Sequence, residues 1–129
     1  MLTNKFTLAG GIAALAMLAA GTASAQSADL TYQQHVTCSA MFFAFSKISS
    51  DPEDVSALEA ATGVMLTRAQ ALPAARSLTE DQVIEAAVAE ALQIAERVDA
   101  QCSMNAKENV IINWGPGLER CLEAVLEDV

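Results

Sequence analysis

Residues 35–47 read HVTCSAMFFAFSK, with a histidine, a cysteine and a methionine at three-residue steps and phenylalanines at 42, 43 and 45. Two readings compete for His35, Cys38 and Met41. An imidazole, a thiolate and a thioether would together suit a soft metal such as copper, or a haem iron. The same residues also belong to the wall of a core helix. At about 100° per residue, Cys38 lies near the centre of a stripe made by Cys38, Met41, Phe42, Phe45 and Ile48. His35 and Met41 fall about 60° to either side of it. Packing asks less of the chain. His35 is the only histidine, and a metal would require Cys38 as a free thiolate. The stretch therefore predicts a helix with one apolar face and no cofactor, leaving His35 and Met41 as the residual candidates for a metal or haem.

The helical period continues on either side. The first helix is expected from Asp29 to Ser49, where Ser50-Asp51-Pro52 ends it and opens the next. Asp51 is a good N-cap, Pro52 suits the first helical position, and Glu53 and Asp54 complement the helix dipole. The acids here have neither the spacing nor the central glycine of an EF-hand loop. A second seam runs through Val55, Leu58, Thr62, Met65, Ala69 and Leu72 and stops near Pro73. The sequence Leu78-Thr79-Glu80-Asp81-Gln82-Val83 then carries a capping box, Thr79 with Gln82, and a staple pair, Leu78 with Val83. The third helix is expected to turn Ile84, Val88, Ala91, Ala95 and Val98 inward and to run to about Cys102.

The last stretch has two break signals. Asn105-Ala106-Lys107-Glu108 resembles a capping box and would start a fourth helix at Ala106. Gly115-Pro116-Gly117 sets a break ten residues later. A third helix continuous to Asn113 is the alternative to a bend near residues 103–105. Short connections between consecutive helices imply antiparallel neighbours, so the expected fold is all-α, a single up-down bundle of about four helices.

The beginning of the chain reads as an export signal. Lys5 precedes an apolar stretch, Phe6 to Ala20, and Ala23-Ser24-Ala25 offers a small-x-small cleavage site. A retained membrane anchor would need a longer apolar run, and Gly10-Gly11 interrupts this one. Residues 1–25 are thus expected to be a secretory signal and residues 26–129 the helical domain, periplasmic or secreted. Lys5 apart, six basic residues face sixteen acidic ones, a net of −10. Such a charge opposes nucleic acid and anionic lipid, and it favours solubility or a basic partner.

Export places Cys38, Cys102 and Cys121 where disulfides form. Three is odd, so one thiol is left over, either buried or available for an intermolecular bond and a dimer. In an up-down bundle Cys38 and Cys121 come level with a modest stagger. Cys102 lies at the bundle end, roughly 15 Å away at 1.5 Å per residue, beyond the reach of a disulfide. The expected pair is Cys38–Cys121, with Cys38–Cys102 the rival if the third helix is bent back or continuous.

Catalysis has no motif here: no nucleophile elbow, no C-x-x-C, no haem-attachment sequence. The expectation is a non-enzyme acting by contact with another protein, as adaptor, inhibitor or small chaperone. Candidate contact residues are Trp114, a lone tryptophan at a helix break, and Glu119, Glu123 and Glu127, four apart on one helical face.

Overall fold

A computed structural model describes residues 30–126. The expected signal, residues 1–25, and Glu127 lie outside the described residues. Among the described residues five α-helices form the bundle: α1 (Tyr32–Ile48), α2 (Pro52–Ala71), α3 (Glu80–Asp99), α4 (Met104–Ile112) and α5 (Leu118–Leu126), with a 3-10 turn at Pro73–Ala75 between α2 and α3. The protein is an all-α helical bundle, with α4 and α5 together standing in the place of a fourth long helix.

Each start has a chemical cause. Thr31 caps α1, accepting from the Gln34 amide at 3.1 Å while Gln34 Oε1 accepts from the Thr31 amide at 3.0 Å. That reciprocal box satisfies two otherwise orphaned donors and starts the helix at Tyr32, three residues later than Asp29. Asp51 caps α2 through the Glu53 amide at 2.9 Å, followed by Pro52 in the first turn. Thr79 and Gln82 form the box at α3, with bonds of 3.1 and 2.8 Å. Beside that box Val83 turns into the core, whereas Leu78 remains 37% exposed.

The third helix ends at Asp99, and the cap of α4 is Ser103 rather than Asn105. Ser103 Oγ accepts from the Ala106 amide at 3.1 Å. A serine hydroxyl serves here without a Glu or Gln at the third helical position, so the full box at Asn105 is bypassed. Lys107 ties α4 back to α3: its ammonium donates at 3.1 Å to the Val98 carbonyl, which also accepts from the Gln101 amide at 3.0 Å. The second break stands where the sequence places it, with Gly115 and Gly117 both at positive φ.

The first helix is the axis of the molecule. Every residue from His35 to Phe42 is buried, so the single expected stripe is instead a nearly closed surround. The serines of α1 tolerate burial because they bond locally. Ser39 Oγ donates to the Val36 carbonyl at 2.7 Å and Ser46 Oγ to the Phe43 carbonyl at 2.5 Å. The main core joins Met41, Phe42 and Phe45 of α1 to Leu58 and Met65 of α2, Ile94 and Val98 of α3, Ile111 of α4 and Leu118 and Val125 of α5. A smaller cluster gathers Val36, Ala69, Ala75, Val83 and Ala87.

Cys38 and Cys121 are joined by a disulfide with Cα atoms 5.5 Å apart, tying the axial helix to the last one. This is the pair that the helix register leads one to expect. From α2, Arg68 adds a second tie, donating to the Ala124 carbonyl of α5 at 2.9 Å. A cation at a helix C-terminus is also favoured by the dipole.

Candidate functional site

Helix α3 turns differently from its expected setting. Val83, Ala87, Ala91, Ile94 and Val98 face the core, whereas Ile84 is 38%, Val88 50% and Leu92 65% exposed. Of the residues expected inward, Ala91 and Val98 are buried, Ala95 is half-buried, and Ile84 and Val88 are not. The apolar arc of α3 is wider than the face it can bury, so periodicity admits more than one rotation. Small Ala87 and Ala91 permit close approach to α1. A polar node then fixes the angle.

That node is centred on Glu90. Its Oε1 accepts from Thr37 Oγ1 at 2.8 Å and from Gln33 Nε2 at 3.3 Å, both on α1. Its Oε2 accepts from Trp114 Nε1 at 3.0 Å, in the turn after α4. The Arg97 guanidinium lies 5.6 Å from the centre of the Trp114 ring, within cation–π range. One carboxylate thus gathers three donors from two other parts of the chain, and rotating α3 would orphan them. Trp114 is half-buried at the helix break, with its indole N–H bonded to Glu90.

The outward residues Ile84, Val88 and Leu92, each four apart, make a continuous apolar ridge. From their exposures it presents on the order of 300 Å² of apolar surface, the size at which such patches on monomers are often functional. Exposed acids border it on α3: Asp81 and Glu85 early, Glu96 and Asp99 late. The ridge had a sequence signal in the excess of apolar residues on α3. What could not be read was which of them the bundle would leave out.

The other candidate residues are scattered. Glu119 and Glu123 are exposed on α5. Cys102 is a free, exposed thiol in the turn between α3 and α4. Met41 Sδ lies 3.7 Å from Cys121 Sγ, a sulfur–sulfur contact in the core. His35 is 1% exposed, and its Nδ1 lies 2.8 Å from the Thr31 carbonyl, which makes Nδ1 the protonated nitrogen. Nε2 is then an acceptor, without a partner among the described residues. Burial lowers the pKa of His35, the bond to Thr31 raises it less, and the nearby Arg68 charge lowers it further.

These placements do not assemble a soft metal site. The Cys38 sulfur is committed to the disulfide. His35 and Met41 stand about 9 Å apart along the helix axis and roughly 120° apart around it. No group of three or more His, Cys, Asp or Glu among the described residues could hold a metal ion, and no helix there is long and apolar enough to cross a membrane. No known protein family, curated protein or solved structure matches the chain.

Proposed function

We propose that this is an exported, non-enzymatic helical protein that acts by contact with another protein, as an adaptor, inhibitor or small chaperone, and that the outer face of α3 makes the contact. The observation that carries the reading is the ridge of Ile84, Val88 and Leu92, left in solvent by a helix whose opposite face is firmly seated. Leaving large apolar side chains in water forgoes about 1.5–3 kcal/mol for each one buried elsewhere, so a continuous row of them calls for a use. Export rests on the leader-like residues 1–25 and agrees with the disulfide, which persists in oxidising compartments. Periplasm is the proposed location.

The experiment is a photoreactive amino acid placed at Leu92 in one strain and at Glu119 in another, with the protein expressed and exported in bacterial cells. Crosslinking at position 92 to a different protein, and much less at 119, is expected. Equal yields at both positions, or none at 92, would refute the reading.

A further inference from the structure

Helix α5 is held differently from the rest of the bundle. It has nine residues, fewer than the roughly 12–15 at which an isolated helix becomes even marginal in water. It touches α1, α2 and α4 only lightly, whereas α1 and α2 pack extensively on each other. Leu118, Cys121, Ala124 and Val125 face inward, while Glu119, Arg120 and Glu123 stand in solvent. Upstream, Trp114 is pinned by its bond to Glu90. Between that pin and Leu118, both Gly115 and Gly117 sit at positive φ. Glycine changes backbone region at little steric cost, so the chain beyond Trp114 can turn while α4 stays seated. Besides its packing, α5 is tied by the Cys38–Cys121 bond at its middle and by the Arg68 bond to the Ala124 carbonyl near its end.

Both bridged cysteines are fully buried, and Met41 Sδ lies against Cys121 Sγ at 3.7 Å. Thiol–disulfide exchange needs a thiolate to reach one of the two sulfurs. While α5 is seated, none can. We infer that α5 is a redox latch: it opens as a unit about the Gly115–Gly117 turn, and oxidation of Cys38 and Cys121 closes it over α1. Opening admits a dithiol, whose thiolate attacks one sulfur and forms a mixed disulfide. The second thiol of the reductant then displaces the remaining protein sulfur. The reductant leaves as a cyclic disulfide, and Cys38 and Cys121 each end with a proton. Without the bridge, α5 keeps its packing and the Arg68 bond, and the face of α1 around Cys38 and Met41 is uncovered whenever it swings away. Opening a lightly packed end element costs less than unfolding the whole domain, so α1, α2 and α3 stay folded meanwhile. The latch is separate from the outer face of α3 and does not depend on what that face binds.

The test follows reduction of the oxidised protein by dithiothreitol, with the Cys38 and Cys121 thiols counted by alkylation and mass spectrometry. Leu118→Ala loosens the seat of α5, and Val83→Ala loosens α3 in the smaller cluster. Leu118→Ala should speed reduction at least about tenfold more than Val83→Ala, because it alone eases the opening that admits the dithiol. If the two rates instead track the urea midpoints of the two variants, the bridge is reached by global unfolding and the latch is refuted. Hydrogen exchange of the parent protein gives a second reading that needs no variant. In the reduced protein, residues 118–126 should exchange at least about tenfold faster than α1 to α3, and oxidation should narrow that gap. Equal protection of α5 and α1 after reduction would overturn the inference, since the bundle would then open as one unit. A gap that oxidation leaves unchanged would overturn it as well, since α5 would then fray without regard to the bridge.

Discussion

The methyl group of Thr37 occupies the place where a side chain on Gly115 would begin: a Cβ there would lie 2.5 Å from Thr37 Cγ2. Gly115 also sits at φ +51°, a left-handed conformation that costs a residue with a Cβ roughly 1–2 kcal/mol. Both requirements follow from one arrangement, since Thr37 must stay close to bond Glu90 and the turn must stay close to deliver Trp114. Gly115→Ala is expected to lower stability by about 2 kcal/mol or more. The urea midpoint measures it. An unchanged midpoint would mean that the turn does not press on α1.

Glu90 holds the other half of that arrangement. Replacing it with Ala leaves the Thr37 hydroxyl and the Trp114 indole without their acceptor, and should cost about 1–3 kcal/mol. Trp114 fluorescence should move to the red as the ring loosens. Glu90→Gln, which retains one acceptor oxygen, should cost less. If both variants matched the parent in midpoint and emission, the node would have no part in seating α3.

The Cys38–Cys121 bond spans 83 residues of chain. In the chain-entropy account a loop of that size stabilises by about 4 kcal/mol, so reduction should lower the melting temperature substantially. Cys102→Ser, a change at an exposed free thiol, should leave it nearly unaltered. Non-reducing peptide mapping checks the pairing, and recovery of a Cys38–Cys102 peptide would contradict the fold at α4.

His35 gives a pH dependence whose sign is set by burial. Its pKa in the folded protein is lowered below 6.5. Above that value both states hold a neutral imidazole. As pH falls through it, the unfolded chain takes up a proton that the folded protein refuses, and stability declines until the folded pKa is reached. Urea midpoints should therefore fall as the pH drops through 6.5, and His35→Gln should flatten that segment of the curve. An identical slope in the variant would assign the loss to other groups.

What the chain determines alone is local or one-dimensional. Thr79 with Gln82, Asp51 with Pro52 and the Gly115–Gly117 pair act through bonds and dihedrals within a few residues, so helix starts and the last break are legible as letters. Thr31 with Gln34 carries the same signal, and it places the start of α1 better than the apolar period does. Even the disulfide yields to arithmetic, because helical rise converts residue counts into heights along a bundle. Tertiary structure decides the rest, for two reasons. Period reports that a helix has an apolar side but not how wide an arc its neighbours can cover, and so Ile84 and Val88 face solvent while Val83 and Ala87 are buried. Surround is likewise a property of neighbours: His35, Ser39 and Ser46 look like the polar side of α1 until other helices close around it, with local hydrogen bonds making the burial of the two serines tolerable. The tie made by Lys107 belongs to the same kind, since its reach to the Val98 carbonyl is visible only once α4 has folded back beside α3.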